Sequence, residues 1–235
     1  MNQRVFSISA WSGTAALVVT CVGWLIAGIL PLPLGPSTSA IEVAAFFIDD
    51  ATVTKMGFVI ASVGVGLMLP MLAAISMHML RMEGRYPLLS FTQMIAGAVT
   101  VILNTLPQLL WATIAFRTDR TPEEYQTLND IAWLLLFTGI IPFMIQNIAI
   151  GTAVLSAPHR VFPRWAGFLN LWVALAFVPD VLAYFFMSGP FAWNGIFVFW
   201  LALGAYAVFL VGMGVAIKHA NAQIIALAKM ESASA

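Results

Sequence analysis

Leu88–Phe116 reads LLSFTQMIAGAVTVILNTLPQLLWATIAF, an unbroken run without one Asp, Glu, Lys or Arg. About 20 such residues at ~1.5 Å each cross the ~30 Å hydrocarbon core of a bilayer, so the run is long enough to span a membrane. Hydrocarbon offers no partner to an unpaired backbone amide, which makes the span a helix. Similar runs occupy Ala10–Leu30, Lys55–Leu80, Asp130–Leu155, Trp165–Met187 and Asn194–Ile217. A transmembrane β-barrel needs ~10-residue alternating segments, and none is visible. The predicted fold is all-α, a polytopic membrane bundle of six transmembrane helices with residues 1–235 as one domain.

Composition agrees. Of 235 residues, 61% are hydrophobic and 9% charged, against about 25% charged in an ordinary soluble domain, which excludes a soluble globule. Mean hydropathy is +0.95. The basic residues set an orientation: Arg4, Arg81, Arg85, Arg160, Arg164, Lys218 and Lys229 fall on one side, Lys55, Arg117 and Arg120 on the other. Cytoplasmic loops are the richer in Lys and Arg, so both termini are expected inside. The acids Glu42, Asp49, Asp50, Asp119, Glu123, Glu124 and Asp130 then lie outside. No basic stripe exists for nucleic acid, and membrane lipid is the expected partner. The first span is longer than the ~7–15-residue core of a signal peptide and holds Trp24, so it is expected to be retained. Cys21, the only cysteine, excludes an internal disulfide and a Cys-based metal site.

The loops carry helix signals. In the outer loop 31–54, Ser39 with Glu42 forms a capping-box pattern that starts a short helix to about Ile48. Phe46, Phe47 and Ile48 are expected to hold it in the membrane interface, as a connection rather than a lid. Thr121-Pro122-Glu123-Glu124 combines an N-cap, a first-turn proline and acids that suit a helix N-terminus. Trp11, Trp111, Trp133, Trp165 and Trp193, near span ends, read as interfacial anchors. Residues 218–235 read as a cytoplasmic tail continuing the last helix.

An internal echo links the middle spans. Gly66-Leu-Met-Leu-Pro70 and Gly139-Ile-Ile-Pro142 place a proline behind a glycine in the second and fourth spans. Pro107-Gln108 and Pro179-Asp180 recur at one offset in the third and fifth. The pattern predicts four kinks and a parallel two-helix repeat, spans 2–3 on spans 4–5.

Polar residues within the spans mark the candidate site. Asn104 and Gln108 share a face of the third span and match the depth of Asp180 in the fifth. Gln146, Asn147 and Asn170 form a second, inner layer. Asp180 is the only acid well inside a span, and no Lys or Arg matches its depth. A charged side chain there costs several kcal/mol unless paired, wetted or neutralised. It is expected either protonated and hydrogen-bonded to Asn104 or Gln108, or open to an aqueous cavity. His78, His159 and His219 lie at the cytoplasmic side, without metal-ligand spacing and far in depth from Asp180. Neither metal, haem nor Ser-His-Asp catalysis is expected. Small residues in the sixth span, Gly212 with Ala216, permit close helix approach within the bundle or between protomers.

Leu128–Asn147 and Phe162–Trp200 resemble stretches of uncharacterised bacterial multi-pass membrane proteins. The resemblance covers under half the chain, implies a bacterial cytoplasmic membrane and carries over no activity or site residue. The residues themselves point first to a bundle that binds or moves a small, mostly apolar molecule, with no cofactor and no enzymatic chemistry. The alternative is an accessory or assembly subunit, packed against membrane-protein partners or a second copy of itself.

Overall fold

A computed structural model describes residues 3–158 and 161–234. His159, Arg160 and the Lys229 side chain lie outside the described residues. Among the described residues there are helices and no strands, and six helical stretches are long and apolar enough to cross a membrane. The first span is α1 (Gln3–Ala27). The second is split into α3 (Ala51–Gly66) and α4 (Leu69–Glu83), and the third is α5 (Leu88–Ile114). The fourth divides into α6 (Pro122–Thr138) and α7 (Ile140–Ser156). The fifth joins α8 (Arg164–Ala176) to a 3-10 segment, Val178–Tyr184; the sixth joins a π-helical turn, Ile196–Trp200, to α9 (Leu201–Ser234).

The breaks follow from proline chemistry. A proline ring excludes the carbonyl four residues before it, which for Pro70 is Gly66 and for Pro142 is Thr138, the last residues of α3 and α6. Before Pro179 the α-helix stops at Ala176 and tightens to 3-10 winding. Pro107, in contrast, stays inside an uninterrupted α5. The predicted echo is therefore partial: the second and fourth spans break alike, while the third and fifth differ. The π-helical turn opening the sixth span has no proline in it and was not foreseen.

Each span packs on the one before and the one after it in the chain, and α9 returns to α1, closing a ring. Glycine sets the closest approaches. Gly23 and Gly57 face each other across α1 and α3, and Gly212 and Gly214 seat α9 against Leu169 of α8 and the Ala10 carbonyl of α1. The small residues of the sixth span thus serve packing within the bundle. Below the break at Gly66–Leu69, α4 touches α1, α5, α7 and α9 and so occupies the middle of the ring. Its Met71, Ile75 and Met79 are fully buried.

Both capping boxes form. Ser39 caps α2 (Ala40–Ile48) reciprocally with Glu42, and Thr121 caps α6 with Glu124. Two sequence expectations are corrected. Phe47 of α2 does not face lipid as expected but is completely buried and stacks on Tyr125 of α6, while Ile48 stays exposed. The connection is fastened further where Gln126 donates to the Thr38 carbonyl at 3.0 Å and Trp193 to the Leu34 carbonyl at 2.8 Å. Of the tryptophans read as anchors, Trp11 and Trp165 are exposed, but Trp111, Trp133 and Trp193 are buried. With Phe58 these three form an aromatic stack, Phe58–Trp111–Trp133–Trp193, in which Trp111 meets Trp133 edge-on, with ring centroids 4.8–6.1 Å apart, and Trp111 Nε1 donates to Asn129. Depth near a span end does not distinguish a ring facing lipid from one facing the next helix.

Candidate ligand cavity

The stack and the α2 connection lie toward the end of the ring that carries the acidic loops, and α4 occupies its middle toward the other end. Between them lies a cavity of about 100 Å³, to which every span contributes. Leu17, Thr20, Cys21 and Trp24 come from α1, Val65 from α3, and Asn104 and Gln108 from α5. Phe137, Gly139, Ile140 and Phe143 line it from the fourth span, Phe177 and Asp180 from the fifth, and Phe199, Ala202 and Tyr206 from the sixth. A dry cavity of ~150 Å³ is known to hold benzene, so this one fits a few waters or a molecule somewhat smaller.

Its polar groups are arranged by the breaks. Ending α8 at Ala176 and winding Val178–Tyr184 as 3-10 places Asp180 on the inner surface, only 1% exposed, its amide donating to the Phe177 carbonyl. The Gln108 amide oxygen accepts from Trp24 Nε1 at 2.8 Å, which fixes the indole across the wall from α1 to α5. Trp24 is also stacked on Phe199, centroids 6.0 Å apart. The Tyr206 hydroxyl donates to the Met68 sulfur, and Asn104 lines the same wall. A Cβ on Gly139 would stand 3.2 Å from Asn104 Oδ1, so the amide would have to shift by a few tenths of an ångström. Phe143 meets Phe177 edge-on and Tyr206 at a tilt, with centroids 4.9 and 5.4 Å apart.

Asn104, Gln108 and Asp180 thus line one cavity, as their depths suggested. The expected hydrogen bond between Asp180 and an amide is corrected: Asp180 Oδ1 is buried without a partner, and the Gln108 oxygen accepts from Trp24. No Lys, Arg or His lines the cavity.

Gln146, Asn147 and Asn170 are fully buried but do not line it. They lie at the depth that α4 fills. Asn147 and Asn170 turn back on their own helices, donating to the carbonyls of Phe143 and Ala166, and Asn170 also reaches the Met213 sulfur. Gln146 sits beside Gly97 of α5, with both its amide atoms unpartnered. The six residues grouped by sequence therefore divide into a cavity set and a packing layer. His78 belongs to neither: it is buried, with Nε2 2.9 Å from Asn221 Oδ1 and its ring edge-on to Phe162. Among the described residues no three His, Cys, Asp or Glu side chains come together as metal ligands would.

Trp24 and Tyr206 were missed as site residues. A signal existed for both, since a tyrosine or tryptophan deep in a span carries a donor that must find a partner, and the nearest ones are the span's buried amides. No protein-family model, curated protein or solved structure matches the chain.

Proposed function

We propose that this integral membrane protein binds or moves a small, mostly apolar molecule through the cavity at the centre of its six-helix ring. The observation that carries the reading is the wall itself: aromatic and aliphatic on most of its surface, with a few converging polar groups, one of them an acid whose Oδ1 has no partner. That is the composition of small-molecule sites, and a buried acid with an unpartnered oxygen is costly to a fold that does not use it. In this reading the cavity performs no catalysis. The basic-residue bias supports insertion with both termini in the cytoplasm, and the resemblance noted above supports a bacterial inner membrane.

The test uses the full chain in lipid nanodiscs and tert-butanol as probe, followed by saturation-transfer NMR. Ala202→Phe fills the cavity from the sixth span and reports partition into the bilayer alone. Saturable transfer in the wild type that Ala202→Phe removes is expected; equal transfer in both overturns the proposal. One observation supports a second reading, an assembly subunit: Tyr184, Phe185, Phe186, Ile196, Phe197 and Trp200 form an exposed apolar ridge on the fifth and sixth spans. Co-purification of a stoichiometric membrane partner on mild extraction would favour it.

A further inference from the structure

We propose that the cavity's ligand is a small organic ammonium ion, with Asp180 as its counter-ion and the surrounding rings as its walls. The inference rests on the cavity being a ligand site and adds the charge of what enters it. Three observations converge.

The first is the unsatisfied acid. Asp180 is 1% exposed, its Oδ1 has no hydrogen-bond partner, and the Gln108 oxygen that shares its cavity accepts from Trp24. The lining thus supplies no cation to this carboxyl. An N–H borne by a positive ligand would satisfy it, and such charge-assisted bonds are about twice as strong as neutral ones.

The second is the aromatic content. Trp24, Phe137, Phe143, Phe177, Phe199 and Tyr206 all line a cavity of about 100 Å³. The faces of such rings carry negative potential and attract an alkylammonium group, most strongly when it is desolvated. An anion finds nothing here, as no Lys, Arg or His lines the wall.

The third is what the donor set excludes. A hard metal cation of the calcium type takes ~6–8 oxygen ligands. Among the described residues no cluster of three or more His, Cys, Asp or Glu exists, and the Gln108 oxygen is already bonded to Trp24. One carboxyl among rings suits a cation that is itself largely apolar. The volume limits it to about the size of benzene or less.

Two near-isosteres, tert-butylammonium and tert-butanol, separate charge from shape, and the bulkier anion pivalate is added as a third probe. Their affinities are to be measured with the full chain in nanodiscs of phosphatidylcholine, which carries no net charge. Wild type is expected to prefer tert-butylammonium over tert-butanol by about tenfold or more, and pivalate not to bind. Asp180→Asn keeps the size of the side chain and is expected to bring the ratio near one. Trp24→Leu, which leaves the acid in place, is expected to lower the ratio severalfold and serves if Asp180→Asn does not fold. Saturable tert-butanol binding without a preference for the ammonium ion overturns this inference while leaving the cavity reading intact. Binding of neither overturns both. Sodium or potassium alone displacing tert-butanol as well as tert-butylammonium does would also overturn it.

Discussion

Gly57→Ala probes the packing that closes the ring around its cavity. A Cβ built at Gly57 would stand 2.4 Å from the Ala27 amide nitrogen, 2.6 Å from the Gly23 carbonyl oxygen and 2.8 Å from Ala27 Cα. All three are backbone atoms, so no side chain can swing aside. Ordinary contact begins near 3.4 Å, so α1 and α3 must separate by about 1 Å, and a gap of ~0.5–1 Å forfeits a quarter to a half of the dispersion well at each contact opened. Lipid tails are as apolar as the helices they surround and supply no hydrophobic drive to restore the interface. Overpacking of this kind costs about 1–3 kcal/mol. Gly204→Ala is the control: nothing lies within 4 Å of its added Cβ, and alanine is the better helix former by about 0.8–1.0 kcal/mol. Unfolding of the full chain by SDS in mixed micelles, followed by circular dichroism, is expected to show Gly57→Ala destabilised and Gly204→Ala equal to or above wild type. Gly57→Ala unfolding together with wild type would refute the close approach of α1 and α3.

Further outcomes follow from the same geometry. Reporter fusions at Gly35 and Glu124 are expected outside, and those at Glu83 and the C-terminus in the cytoplasm; an external C-terminus contradicts an even number of spans. The Ser39 hydroxyl and amide donate to Glu42 and hold its carboxyl below its ordinary value of 4.5. A depressed carboxyl contributes stability above its unfolded value and loses it as pH falls through the lower folded one. Hydrogen-exchange protection in the first turn of α2 is therefore expected to drop on acidification below that window, and Ser39→Ala to abolish the dependence. Asp180→Leu removes a buried oxygen that has no partner, a group whose desolvation costs about 1–3 kcal/mol, and is expected to raise Tm while eliminating any ammonium preference. A fall in Tm would mean that Asp180 holds the fold together.

The spans, both capping boxes and three of the helix breaks were legible in the chain because each depends on local chemistry. Hydrophobic length, a Ser or Thr three residues before Glu, and a proline excluding its own carbonyl need no knowledge of the neighbours. Depth was legible too, which is why Asn104, Gln108 and Asp180 were rightly placed at one level. Azimuth was not. Whether Trp111 faces lipid or Trp133, and whether Gln146 faces the cavity or Gly97, depends on how the ring closes. That closure is set by Gly23 against Gly57 and by Gly214 against Ala10, between segments far apart in the chain. The Gly23-xxx-Ala27 and Gly57-xxx-Ala61 pairs were nonetheless visible as small-residue stripes and mark the tightest helix contact. Hydrogen-bond partners were least legible: Asp180 was matched to the amides, but its Oδ1 has no partner, the Gln108 oxygen accepts from Trp24 and the Tyr206 hydroxyl donates to Met68.

The central claim is a ligand-accessible cavity at Asp180. Crystals of the full chain pressurised with xenon test it most directly, because xenon occupies apolar cavities and scatters anomalously. The expected result is an anomalous peak among Trp24, Phe143, Phe177 and Asp180 that disappears in Ala202→Phe. Xenon found only on the lipid-facing surface, with side chains or ordered helix filling the space beside Asp180, would contradict the account.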